Sequence, residues 1–197
     1  VFIQIIEGRC RDQERARSLL ERWQDEQAPE AGGWLGGTYG FTDDGRLLAV
    51  VRFDSRESAE RNSGRAEQGA WWSEMEECFD GPVEFHDSDD VTVLLDGGSD
   101  GAGFVQVVRG RADDPAKLKE LVADAEPLRE ARPEIIGATL ALEPDGTFTQ
   151  TVAFTDEQSA REGEKERMPE EVRQAMETLI HDVRFDDLHR PWFASRP

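Results

Sequence analysis

Apolar residues along this chain alternate between two spacings. Residues 2–7 read as a short strand. Ala16, Leu19, Leu20 and Trp23 then fall at the i, i+3, i+4 and i+7 positions of one helical face. Two further strand-like runs, 35–41 and 46–53, flank Asp43-Asp44-Gly45, and Asp-Gly between such runs marks a hairpin turn. A second helical region carries Trp71, Met75, Cys78 and Phe79 on one face, and 83–86 returns as a strand. The run 91–95 reads as an added edge strand of the same unit.

The pattern then starts again. Phe-Ile-Gln-Ile-Ile-Glu-Gly-Arg at 2–9 matches Phe-Val-Gln-Val-Val-Arg-Gly-Arg at 104–111, an offset of 102. At 101, Leu35-Gly36-Gly37-Thr38 matches Ile136-Gly137-Ala138-Thr139, Asp44-Gly45 matches Asp145-Gly146, and Ser58-Ala59 matches Ser159-Ala160. At 100, Val83 and Phe85 match Val183 and Phe185. Blocks that keep order and nearly constant spacing identify a tandem duplication. The helical stripes repeat too, as Leu118, Leu121, Val122 and Ala125, then Val172, Ala175, Met176 and Leu179. Asp114-Pro115 has the form of a helix start.

The predicted fold is α+β, two tandem ferredoxin-like β-α-β-β-α-β repeats over 1–95 and 103–197 with a Gly-rich linker at 96–102. Such a sheet has helices on one face and an apolar second face that needs a cover. Two copies in one chain supply that cover, which predicts sheets packed face to face as an intramolecular barrel, a pseudo-dimer. Further pairing into a homodimer stays open.

Composition narrows the partners. Against 43 acidic residues stand 23 basic ones, a formal charge of −20, which excludes nucleic-acid backbones and anionic membranes as expected partners. No Lys or Arg occurs from 66 to 108, where 11 Asp and Glu fall. Glu84, Asp87, Asp89 and Asp90 lack the spacing of a Ca²⁺ loop, so this stretch reads as a solvated acidic face. There is no membrane-length apolar run and no signal-peptide pattern. Cys10 and Cys78 cannot form a disulfide framework or a four-ligand zinc site alone. A cytoplasmic setting is the expectation.

Leu19-Leu20-Glu21-Arg22-Trp23, Gly36-Gly37-Thr38 and Phe53-Asp54-Ser55-Arg56-Glu57-Ser58-Ala59 together resemble the dimeric α/β-barrel superfamily, in particular its antibiotic-biosynthesis-monooxygenase-like branch. The likeness covers nearly the whole chain, as a fused two-copy version of a fold that is usually a homodimer. It implies a pocket between the sheet and the helices of a copy. Family members oxygenate small aromatic compounds without a cofactor, degrade haem, or have no established activity. The Asn that haem degraders carry on the first strand is missing; the single Asn of the chain is Asn62. Arg61-Asn62-Ser63 also replaces the His that many members carry after the Ser-x-Glu-x-Ala junction.

The copies differ in aromatic content. Trp23, Trp34 and Tyr39 stand where the second copy has Ala125, Ile135 and Leu140, and Trp71-Trp72 stands against Glu171-Val172. Aromatic walls with a few polar groups suit a small planar ligand. The first repeat is therefore the expected binding copy, with Gln4, Trp23, Trp34, Trp71, Trp72 and Met75 as candidate ligand contacts. Trp23 and Trp71 serve equally well as core, and Trp72, turned by about 100° from Trp71, belongs at a rim. Gln4 and its equivalent Gln106 need a hydrogen-bond partner if buried, with a backbone group as the expected one. Tyr39, His86 and Asn62 are the candidate acid–base or hydrogen-bonding groups of a catalytic site. His181 and His189 form no metal-ligand motif, and no metal or cofactor is implied. Two functional readings follow: binding of a small aromatic or hydrophobic ligand without catalysis, or cofactor-independent oxygenation of a quinol- or anthrone-like substrate. Haem binding is a third, disfavoured by the missing strand-one Asn.

Overall fold

The computed structural model describes residues 1–123, 131–165 and 170–195, with 170–172 given by their backbone alone. In the first repeat β1 (Phe2–Arg9), α1 (Gln13–Glu26), β2 (Trp34–Phe41), β3 (Arg46–Phe53), α2 (Arg56–Ser63), α3 (Ala66–Glu76) and β4 (Glu84–Ser88) follow one another. After β5 (Asp90–Leu94) the second repeat runs β6 (Phe104–Ala112), α4 (Pro115–Val122), β7 (Ile135–Leu142), β8 (Thr147–Phe154), α5 (Glu157–Gly163), α6 (Glu170–Leu179) and β9 (Ile180–Leu188). A last strand, β10 (Trp192–Ser195), ends the described chain. The order is that of two tandem ferredoxin-like repeats in an α+β fold. No helix of the described residues is long and apolar enough to cross a membrane.

The local signals repeat with the sequence. Asp12 and Asp114 cap α1 and α4 by accepting from the amides of Arg15 and Lys117 at 3.0 and 3.1 Å. Ser55 and Asp156 do the same for α2 and α5, each satisfying an orphan N–H of the first turn. Both hairpins turn on a glycine with positive φ, Gly45 at +82° and Gly146 at +86°. The second helical region of the first repeat is broken in two. Asn62-Ser63-Gly64 are poor helix formers, and Arg65 adopts an extended conformation before α3 begins.

Each sheet has five antiparallel strands, in the orders β10-β2-β3-β1-β4 and β5-β7-β8-β6-β9. By contact the chain divides into Val1–Asp89 with Trp192–Pro197, and Asp90–Pro191. The run read as an edge strand of the first repeat does form a strand, but it pairs with β7 in the second sheet. Reciprocally, β10 leaves the second repeat and pairs with β2 in the first sheet. The reason is geometric. The sequence of an edge strand specifies extended backbone, while its partner is set by whichever open edge the connection reaches.

Register sorts the side chains of the first sheet into two faces, since directly opposed residues share a face. Gln4 lies opposite Val51, and Ile6 opposite Ala49, which in turn opposes Tyr39. This is the helix-bearing face, where Phe2, Trp34, Phe53 and Leu47 join Ala16, Leu19, Leu20, Trp23, Trp71 and Met75 in one buried cluster. In the second unit, Phe104, Ile135, Phe154 and Ala160 form one cluster, and Leu118, Leu140, Phe148 and Leu179 another. Of the predicted stripes there, Ala125 lies outside the described residues, as does the side chain of Val172.

Candidate functional site

A pocket opens in the first unit between its sheet and its helices. Gln4 and Ile6 of β1, Tyr39 of β2, and Leu47, Ala49, Val51 and Phe53 of β3 form its floor. Leu20 and Trp23 of α1, Asn62 and Ser63 of α2, and Gln68, Trp71, Trp72 and Met75 of α3 form its roof, with Phe79 at one end. Asn62 and Ser63 precede the break between α2 and α3, and Gln68 follows it. Ser63 is exposed there, while Gln68 and Trp72 are half-buried. The free space is about 60 Å³. That is less than the roughly 150 Å³ in which benzene binds inside an engineered apolar cavity. A six-membered ring therefore enters only with an outward shift of a wall.

The aromatic roof is fixed by hydrogen bonds. The Trp23 indole donates to Gln68 Oε1 at 2.6 Å, tying α1 to α3. The buried Trp71 indole donates to the Leu19 carbonyl at 2.8 Å. Trp23 meets Trp34 edge-on at 5.2 Å and Trp71 at 6.4 Å, distances at which aromatic pairs gain beyond their buried area. Trp72 sits at the rim, against Phe85 at 5.3 Å.

Polar groups in the lining are few and neutral. Asn62 is buried, and its Oδ1 accepts from Arg65 at 3.2 Å, leaving the amide N–H groups as the donors it can offer an occupant. Gln4 donates to Asp87 on the neighbouring strand at 3.0 Å, and Gln106 makes the equivalent bond to Asp187 at 3.1 Å. The partner is thus a carboxylate, not the expected backbone group, because β4 and β9 place an Asp directly opposite. Tyr39 is the one titratable side chain among the lining residues. Burial pushes its phenol well above the ordinary tyrosine range, with Arg52 opposing weakly, so it stays protonated and acts as a donor.

The structure brings together Gln4, Trp23, Tyr39, Asn62, Trp71, Trp72 and Met75 at this pocket. Two candidates lie elsewhere. Trp34 is 2% exposed and belongs to the core beneath Trp23, outside the lining. His86 pairs with Ile5 across β4 and β1, which puts it on the sheet face opposite Gln4, Ile6 and Tyr39. Its Nε2 lies 3.5 Å from Glu84. A one-residue step along a strand reverses the face, and the parity of β4 is fixed by the Gln4–Asp87 pair. Cys10 and Cys78 are buried and unbridged, and burial raises both thiols, which makes them poor nucleophiles.

Sequence reasoning missed Gln68, Gly37 and Trp192. Trp192 lies opposite Tyr39 across β10 and β2, with the rings stacked at 5.8 Å and 25°. Gly37 is where the Tyr39 ring rests. A Cβ at that position would stand 2.2 Å from the Tyr39 hydroxyl. The signal for Gly37 was present in the repeat, which has Ala138 there beside Leu140 instead of Tyr39.

Comparison with known proteins places this fold. One similar structure is a candidate monooxygenase from Lactobacillus acidophilus, with a TM-score of 0.79 at 11% identity over 98% of this chain and 95% of that one. Another is a ferredoxin-fold protein from Listeria monocytogenes related to antibiotic biosynthesis monooxygenases, at 0.53 and 10% over 95% and 94%. The chain shares the fold of the antibiotic-biosynthesis-monooxygenase-like proteins. An anthrone oxidase-like protein is also similar, with a TM-score of 0.65 at 12% identity over 98% of this chain and 92% of that one. These identities speak for the fold alone. No protein-family model matches the sequence, and no curated protein is similar to it.

Proposed function

We propose that the chain binds a small neutral planar molecule, aromatic or otherwise apolar, that carries a hydrogen-bond-accepting oxygen. The observation behind this reading is the lining itself. Its walls are aromatic and aliphatic, and its polar groups are a protonated phenol, two glutamines, an asparagine and a serine, with no charged side chain among the described residues. A charged ligand would lose its hydration there without gaining a counterion, whereas a carbonyl or phenol oxygen would find donors. Acetophenone is a suitable probe: one ring and one carbonyl. Isothermal titration calorimetry should give a Kd of about 1 mM or tighter, in line with the efficiency of small ligands. Asn62→Ala should weaken it about tenfold, the loss of one hydrogen bond to a buried acceptor. Titration of the wild-type protein without heat or any rise in Tm overturns the reading.

A second reading has a specific observation in its favour. In cofactor-independent oxygenation a quinol loses an O–H proton, a ring carbon of the resulting anion bonds O₂ as a peroxide, and loss of water leaves a hydroxyquinone. Tyr39, protonated, and the Asn62 amide both line the pocket and can stabilise the oxygen anion, and a one-ring quinol can give its O–H proton to solvent. An anthrone oxidase-like protein shares the fold. Oxygen uptake with methylhydroquinone, a one-ring quinol, reduced at least about tenfold by Tyr39→Phe, supports catalysis. Uptake equal to that of the buffer leaves the protein as a binder.

A further inference from the structure

We propose that Trp192, contributed by the last strand, is the residue that sets the upper size of the ligand. The inference rests on the proposed binding reading and deepens it by naming what limits the occupant to about one ring.

Tyr39 forms one wall of the pocket, and Trp192 touches Tyr39 without lining the pocket, so it stands behind that wall. Trp192 is itself held. Phe41 lies 5.6 Å from its ring, and the Arg17 guanidinium of α1 sits 4.7 Å over it. On the neighbouring floor position the Tyr39 ring end covers Gly37, where only a hydrogen fits. The phenol is thus stacked from the edge strand and seated on glycine. Without that stack the ring could leave the pocket side.

The second repeat provides the internal control. Its edge strand β5 pairs with β7 as β10 pairs with β2, and Thr92 lies opposite Leu140 as Trp192 lies opposite Tyr39. Gly37, Tyr39 and Trp192 therefore correspond to Ala138, Leu140 and Thr92. All three positions of the wall differ together: a side chain fills the glycine position where no ring needs the space, and the stacking partner is absent where there is no phenol. Elsewhere the same repeat keeps its caps, its hairpin glycines and its Gln–Asp pair. The repeats also differ at Trp23, Trp34, Trp71 and Trp72, but at these three strand positions ring, seat and stacking partner change together, as a specificity element requires.

Tyr39 is the single tyrosine of the chain, so protein labelled with 3-fluorotyrosine gives one ¹⁹F resonance that reports this wall directly. In the ligand-free protein Trp192→Ala should shift or broaden that resonance, while Trp192→Phe, which retains a stacked ring, should keep it close to wild type. With acetophenone and the two-ring 2-acetonaphthone as probes, wild type should prefer the smaller by at least about tenfold, and Trp192→Ala should lose or invert that preference. Where Trp192→Ala does not fold, Trp192→Leu supplies the variant that keeps apolar volume without the ring. An unmoved resonance in the Ala or Leu variant, or an unchanged size preference, overturns the proposal. Failure of wild type to bind either probe defeats the binding reading instead, and the ligand-free resonance still decides whether Trp192 holds Tyr39.

Discussion

The two units of this chain share an architecture and differ in one layer. Each has a five-stranded sheet with equivalent caps, equivalent hairpin glycines and an equivalent Gln–Asp pair between its first and last ferredoxin strands. The first unit builds its helix-side interior from Trp23, Trp34, Tyr39, Trp71 and Trp72, and through the exchanged strand it also takes Trp192, so all five tryptophans and the only tyrosine gather there. The second unit fills the equivalent floor with Ile135, Leu140 and Phe148. The difference teaches that turns, caps and register carry the fold, while the interior side chains stayed open to change in one copy.

The largest test removes an aromatic that serves both core and pocket. Trp71→Ala should cost about 3–5 kcal/mol in urea unfolding, and Leu118→Ala in the second unit about 2–5 kcal/mol; only the first should abolish acetophenone binding. Equal loss of binding from both would end the assignment of the pocket to the first unit.

Gly37→Ala places a methyl against the Tyr39 hydroxyl and should cost about 1–3 kcal/mol by overpacking, with binding weakened or lost. The converse change, Ala138→Gly, should cost no more than about 1 kcal/mol, through backbone entropy, and leave binding as it is. Similar costs for the two would mean that the glycine is not the seat of the phenol.

The phenol also gives a pH signature. Its folded pKa lies above the unfolded value near 10. Its contribution to stability is therefore fully present below pH 10 and is lost as pH rises beyond it, because the unfolded state releases its proton first. Tyrosinate absorbance should appear together with unfolding. Ionisation in the folded protein near pH 10 would show a solvated ring. The smallest expected effect belongs to His86→Ala, which should change acetophenone affinity by less than about twofold, since the side chain lies across the sheet from the pocket.

Much of the pocket was legible because the chain contains its own comparison. Tyr39, Trp71 and Trp72 stand out in sequence against Leu140, Glu171 and Val172, Gln4 as a polar group among apolar neighbours, and Asn62 as the single Asn, in the segment where similar proteins carry a His. His86 was misplaced because the end of a short strand leaves its parity open, and a single step selects the face. Trp34 looked like its neighbours by composition, yet its place beneath Trp23 depends on how α1 settles on the sheet. Trp192 was invisible as a site residue because its partner is more than 150 positions away in the sequence.

The sequence by itself determined the duplication, the order of strands and helices, the turns and the aromatic imbalance. Each of these is written in local periodicity or in self-similarity, which require no knowledge of distant neighbours. Only the tertiary structure decided which sheet received each edge strand, which face His86 joined, and that a tryptophan from the end of the chain backs the tyrosine of the first pocket. Those outcomes depend on which backbone edges meet in space, and a strand carries almost no record of that in its own residues.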